Sequence, residues 1–455
     1  MSEYRSRIAA ALESGNRFAG LHAGNDTVRT ALVAPDGTIQ LESTPVVDGS
    51  VPSIVALAPA ADWDEREAAD LYGVRFHGHE PLRPLVDHDL DLASWTVPVR
   101  GDDTYQVAVG PIHAGVIESG HFRFHVVGDL ILHLDARLFY KHRGLERAAQ
   151  GHTLTEGIAY AGRACAACAV TNTVAYAQAC EQILGLRPTV EVARARTILL
   201  ELERLWNHLN DIGALCAGVG LAAGNMRFLA LTEQARRLNA QLTGHRFLFH
   251  SIAVGGNQLA FDVDNARAEL AAIRAQSESA WRELLFNSSF NDRLPDIGIV
   301  TREVALELGA VGPAARASGV AEDARATDKL LAYNGFTAIV PNRAAGDVQA
   351  RLEQRALEVQ QTFDLLDSLL DRPVVAASCK PTHERQPIGT ARIESPRGAT
   401  LCIVEQTGDR IGRLRLRTGS YANWPVVAHA AANNLLPDFP LINKSFELCY
   451  ACADR

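Results

Sequence analysis

Two stretches of this sequence carry paired thiols at one spacing. Residues 162–173 read GRACAACAVTNT and residues 447–455 read ELCYACADR, giving Cys165 with Cys168 and Cys449 with Cys452. Four thiolates are a soft donor set that suits zinc, an iron–sulfur cluster or nickel. A zinc ribbon brings two such pairs together over roughly 15–20 residues. Here the pairs stand far apart, and no glycine flanks Cys165 or Cys168 as a local knuckle would require. The first pair leads into AVTNTVAYAQACEQILG, which reads as a helix. A helix start favours thiolate over thiol. The spacing points to metal and leaves open which metal. Cys180, Cys216, Cys379 and Cys402 stand alone and read as small core residues.

The remainder of the chain has to position these thiols. It has 455 residues, 47% hydrophobic and 21% charged, enough for two or three domains with a core that needs no staples. A net charge of -9 excludes a general nucleic-acid binder, and no apolar run is long enough to span a membrane. The first residues are not a secretory signal, so a cytoplasmic protein with reduced cysteines is expected. The densest basic stretch, RLRLRTGS near residue 413, reads as the solvated face of a strand.

Up to about residue 95 short alternating stretches dominate, with a hairpin signalled by PDG at 35–37. HFRFHVVGDLILHLDARLF reads as two strands joined at Gly128-Asp129. Beyond residue 150 helical periodicity takes over. In EVARARTILLELERLWNHLNDIGALCAG, Ile198, Leu202, Leu205, Leu209 and Ile212 share one face. AGDVQARLEQRALEVQQTFDLLDSLLD is a second long helix, and short strands return after residue 390. The expected fold is α+β. A small mixed domain, 1–95, precedes a large helical bundle, 96–455, with β-hairpin elements at its start and end.

The segment VGPIHAGVIESGHFRFHVVGDLILHLDARLFYKHRGLE, together with RACAACAVTNT, ELCYACADR and ESPRGATLCIVE, resembles the large subunit of membrane-bound, energy-converting [NiFe]-hydrogenases. It is also similar to their relative, the quinone-side 49-kDa core subunit of respiratory complex I. DWDEREAADLYGVRFHGHEPLRPL resembles the E-R-E-x-x-D-x-x-G signature of the complex I 30-kDa-type subunit. The resemblance runs from about residue 60 to 455 and is loose before that.

The resemblance implies a Ni-Fe(CN)2CO centre held by Cys165, Cys168, Cys449 and Cys452, with Cys168 and Cys452 bridging to iron. It implies the reaction H2 ⇌ 2H+ + 2e−. Electrons would pass to an iron–sulfur small subunit, because this chain has no spare cysteine cluster. Membrane-arm subunits would complete a complex on the inner face of the cell membrane. By the same similarity Cys449 takes the proton first, Glu118 is the proton gate, and Arg397 overlies the metals. Without it, Glu118 reads as an exposed hairpin residue and Arg397 as a turn residue. His113 matches a position at the quinone end of complex I; alone, it reads as a loop residue.

The pattern departs from the family at several points. Asn172 stands where the family has a His that donates to a bridging thiolate, Ala166 where Gly is usual, and Glu447-Leu448 where Asp-Pro is usual. Arg455 replaces the His that goes with an extra magnesium site. Many relatives lose a tail after the last motif, so a chain stopping at Arg455 is read as mature or as needing no cutting. The alternative reading is a complex I-like coupling subunit of the NADH:quinone oxidoreductase type, with quinone binding and no hydrogen chemistry. A third is a protein whose four thiols hold structural zinc.

Overall fold

The computed structural model describes residues 3–89, 92–112 and 118–455. The fold is α+β. At the front, helix α1 (Glu3–Glu13) lies beside an antiparallel sheet of β1 (Arg17–Ala23), β2 (Thr27–Val33) and β3 (Ile39–Pro45). The β2–β3 hairpin turns over Pro35-Asp36-Gly37, where Gly37 takes a φ of 85°. A short parallel pair, β4 (Ser50–Pro52) and β5 (Arg75–His77), brackets α2 (Asp62–Tyr72). Three acidic residues in its first turn favour the start of α2, and left-handed Gly73 ends it.

The one-turn helix α3 (Leu92–Trp95) leads to a second sheet, β6 (Tyr105–Val109), β7 (His121–Val127) and β8 (Leu130–Arg137). β7 and β8 join through Gly128-Asp129, as their alternation predicts. Two short helices follow, α4 (Leu145–Ala148) and α5 (Ile158–Gly162). The helical layer is α6 (Ala169–Leu184), α7 (Val190–Gly218), α8 (Ala222–Thr243), α9 (Asp264–Leu285) and α14 (Val348–Leu369). Between α9 and α14 lie the short helices α10 (Ser288–Asn291), α11 (Arg302–Glu307), α12 (Gly312–Ala317) and α13 (Ala324–Thr327). Two-residue strands β9 (Leu186–Arg187) to β12 (Lys380–Pro381) tie loops together, including β10 (Gly256–Asn257) to β11 (Ala377–Ser378).

α7 has 29 residues and is central. Thr189 caps it by accepting from Val192 N, and the apolar face predicted from periodicity is buried. So is most of its polar complement, because neighbours cover it on every side. A third sheet of β13 (Ile388–Ser395), β14 (Gly398–Thr407) and β15 (Arg410–Arg417) packs on α6. The chain closes with α15 (Gly419–Ala431), α16 (Phe439–Phe446) and the five-residue α17 (Tyr450–Asp454). One continuous apolar core joins β7, β8, the long helices and α15–α16.

The reading of RLRLRTGS as a solvated strand face is corrected. Arg415 and Arg417 are 6% and 5% exposed. Arg415 donates to Glu67 at 2.8 Å and to Asp64 at 2.9 Å, and Arg417 Nε donates to Asp64 at 2.9 Å. Alternation with leucine describes a two-faced strand, but here α2 covers the charged face with matching carboxylates. Three of the four solitary cysteines are buried as expected, and Cys379 is half-buried. Among the described residues no helix is long and apolar enough to cross a membrane.

Candidate metal centre

The two distant thiol pairs meet. The sulfurs of Cys165, Cys168 and Cys452 all lie within 4.8 Å of one another, and Cys449 Sγ is 3.1 Å from Cys165 Sγ. All four are free thiols. Cys165 caps a 3-10 turn, accepting from Ala167 N at 3.2 Å, and Cys168 immediately precedes α6. Cys449 immediately precedes α17, and Cys452 lies on it.

α7 presents three polar residues to the site that periodicity and motif spacing do not single out, and two of them, Glu203 and Asn207, hold the first pair. Glu203 accepts from Val170 N at 2.6 Å, Thr171 N at 3.0 Å and Thr171 Oγ1 at 2.6 Å, tying down the first turn of α6. Asn207 Nδ2 donates to Ala167 O at 2.8 Å, inside the C-x-x-C loop. Asp211 pairs in bidentate fashion with Arg397, at 2.6 and 2.9 Å. Glu203, Asn207 and Asp211 recur every four residues along one stripe of α7, and that recurrence is a signal the sequence does contain.

The second pair is held from the β15–α15 junction. Ser420 Oγ accepts from Cys449 N at 3.1 Å and Thr418 Oγ1 donates to Cys452 O at 2.9 Å. Asp454 accepts from Phe139 N at 2.7 Å and Lys141 N at 2.9 Å.

Arg397 projects from the β13–β14 turn. Gly398 there has φ 119°, and a Cβ on it would meet Val311 Cγ2 at 2.5 Å, so the turn demands glycine. The guanidinium is buried and lies within electrostatic reach of Cys168, Cys449, Glu447 and Asp211. Asp211 is held down to about 2: burial opposes ionisation, but Arg397 and then His208 and Arg355 outweigh it. Arg355 donates to Asp211 at 3.1 Å and to Phe446 O at 2.8 Å, linking α14 to the backbone just before Glu447. Glu447 adopts a left-handed conformation, φ 49°, at the end of α16. Burial and the nearby charge of Asp211 push it up to about 7.

Among the four sulfurs, contacts with Cys165 and Cys452 pull Cys168 down to about 6, whereas Cys449 is pushed up to about 12, chiefly by Cys165. Thiols this close share charge: one carries it and its neighbours keep their protons. The low value at Cys168 comes from its thiol neighbours first, rather than from the helix start expected to favour it. Glu203 is pushed up to about 7 by burial.

Of the residues expected at the site, Cys165, Cys168, Cys449, Cys452, Arg397 and Glu447 converge. Asn172 sits one turn into α6, fully buried, and neither its amide nitrogen nor its oxygen has a partner. Glu118 is half-buried and acts electrostatically on Tyr450 and Asp454, so it lies beside α17. His113 lies outside the described residues. The donor set fits a soft transition metal: four sulfurs in one buried cluster, a fixed cation over them, and orphaned polar atoms at Asn172 and Arg397 Nε.

The chain is similar to known proteins along most of its length. Residues 27–106 match the family described as respiratory-chain NADH dehydrogenase, 30 Kd subunit, and residues 219–387 match its 49 Kd subunit. The first match starts well ahead of residue 60, where the motif resemblance begins. The second lies wholly between the two thiol pairs. Formate hydrogenlyase subunit 5 of Escherichia coli is 31% identical over 89% of this chain and 77% of its own length. Hydrogenase-4 component G of the same organism is 29% identical over 89% and 76%. A chain of the membrane-bound sulfane sulfur reductase, an archaeal respiratory membrane complex, superposes with a TM-score of 0.71 at 26% identity, covering 79% of this chain and all of that one. By this identity and coverage the chain belongs to the family of hydrogenase-type and complex I-type large subunits that includes formate hydrogenlyase subunit 5, with a 30 Kd-type segment ahead of the 49 Kd-type one.

Proposed function

We propose that this chain is the catalytic large subunit of a membrane-associated [NiFe]-hydrogenase, with Cys165, Cys168, Cys449 and Cys452 as ligands of a Ni-Fe(CN)2CO centre. When bound, that centre supplies the interconversion of H2 with two protons and two electrons. The observation that carries the reading is the meeting of four thiols, from two segments far apart in the chain, in one cluster beside a fixed guanidinium. Arg397, immobilised by Asp211, presents a permanent positive charge over the sulfurs and cannot itself take part as a base. Cys449, the least buried of the four thiols, is suited to hold a proton. Glu118, beside the helix that starts there, and Asp454, at the end of that helix, can carry the proton outward. Asn172 has a free donor one turn beyond Cys168 for a sulfur or a metal-bound group. Within the same reading, residues 1–95 form the 30-kDa-type domain and 96–455 the large-subunit domain. An iron–sulfur small subunit receives the electrons, and membrane-arm subunits anchor the assembly.

The test is the nickel, iron and zinc content of the chain purified with its native partners. About one nickel per chain is expected, lost in Cys165→Ala and in Cys452→Ala. Zinc in its place would point to a structural site. Neither metal, in folded and assembled protein, would sink the hydrogenase reading. It would leave a complex I-like coupling subunit, for which the 219–387 match, clear of both thiol pairs, already speaks.

A further inference from the structure

We infer that Glu67, on α2 near the front of the chain, is a positioning residue for the thiol-bearing helix α17, acting through Arg455. The inference rests on α17 belonging to the candidate site and is independent of which metal binds there.

α17 has five residues, too few to hold a helix by itself, so its place depends on tertiary clamps. Arg455 follows it and is 1% exposed. Its guanidinium donates to Glu67 and, at 2.8 Å, to Leu416 O, and it lies 4.7 Å over the ring of Tyr421. Glu146 approaches to 3.6 Å. Glu67 Oε1 also accepts from Arg415 at 2.8 Å, so one carboxylate oxygen stands between two guanidiniums. Burial opposes the charge on Glu67, but Arg415 and Arg455 hold its carboxyl well below the ordinary range. Arg415 is fixed on β15 and has Asp64 as a second partner. Once the charge on Glu67 is removed, the two cations repel, and the one at the end of the five-residue helix is the one free to yield. Asp64, also on α2, meets Arg415 and Arg417 but not Arg455, and Glu65 points elsewhere. Glu65 accepts from Ser53 and Ile54 N and meets His79, all within the front of the chain.

The test compares amide hydrogen exchange in the full, metal-free chain among the wild type, Glu67→Gln, Glu67→Asp and Glu65→Gln. In Glu67→Gln, amides of residues 450–455 should exchange about tenfold faster or more, with α6 unchanged. Glu67→Asp should recover most of the protection, and Glu65→Gln should leave 450–455 as in the wild type. Co2+ added to the same proteins gives a second readout. The sulfur-to-cobalt charge-transfer absorption per bound ion should fall in Glu67→Gln toward that of the Cys449→Ala/Cys452→Ala double variant. Unchanged exchange at 450–455, an equal effect from Glu65→Gln, or an unaltered cobalt spectrum would overturn the inference. If Glu67→Gln fails to fold, Arg455→Lys serves: it keeps the charge but loses the forked contact, and unchanged exchange there would overturn the inference as well. Loss of nickel binding alone would sink the hydrogenase reading and leave this result standing.

Discussion

The two C-x-x-C pairs share a spacing and are held in opposite ways. Cys168 leads into a sixteen-residue helix whose first turn is tied to α7 by Glu203, and Asn207 secures the loop between the thiols. Cys449 leads into five residues held by Ser420 and Thr418, and, through Asp454 and Arg455, by Phe139, Lys141, Leu416 and Glu67. One pair rides on long local structure and the other is assembled by tertiary contacts. A four-thiol site built this way has one half on a long helix and one half that depends on side-chain clamps. The difference also separates stability from placement: damage to the first half should cost global stability, and damage to the second should loosen the last residues first.

Several substitutions break or sharpen that contrast. The largest effect is expected where both halves meet. Arg397→Lys loses the paired fork on Asp211 and, on the proposed hydrogenase reading, should lower H2 turnover about 100-fold with nickel content retained, since a single ammonium does not reproduce the planar guanidinium. Comparing turnover with metal content checks it. Next comes Glu203→Ala, which strips three donors of their acceptor at the start of α6 and should destabilise the whole fold by about 3 kcal/mol in urea melts. Thr418→Ala removes the cap of α15 and the bond to Cys452 O, and should cost about 1 kcal/mol. It should speed exchange at 450–455 more than at 169–172; the reverse order would abolish the contrast.

The smallest effect is that of pH through α2. Burial alone would lower His79, but the hydrogen bonds it donates to Asp62 and Glu65 outweigh it and push it up to about 9. A histidine raised from its ordinary 6.5 contributes stability that is complete below about 6.5 and is lost as pH rises through 9. Thermal melts between pH 6 and 9.5 should therefore fall in the wild type and flatten in His79→Gln.

Much of the fold is legible in the sequence. The hairpins at 35–37 and 128–129, the helices over 190–218 and 348–369 and the α+β class follow from periodicity and turn residues, which act over a few neighbours. Other features are not legible there. Periodicity brings out the apolar face of α7 and hides the stripe of Glu203, Asn207 and Asp211, because polar residues on a helix are usually solvent-facing. Arg415 and Arg417 look solvated for the same reason. Local pattern cannot allow for a second element arriving with complementary charge.

By itself, then, the sequence determined the donor chemistry: which sulfurs exist, how each pair is spaced, and which elements each pair adjoins. Only the tertiary structure decided that Cys165 and Cys449 stand 3.1 Å apart, that Arg397 is pinned beside them by Asp211, and that a carboxylate from residue 67 holds the arginine at 455. The physical reason is range. Propensity and spacing act within a turn or a strand, whereas burying a charge or gathering four thiols requires partners hundreds of residues away, and those partners exist only once the core has closed.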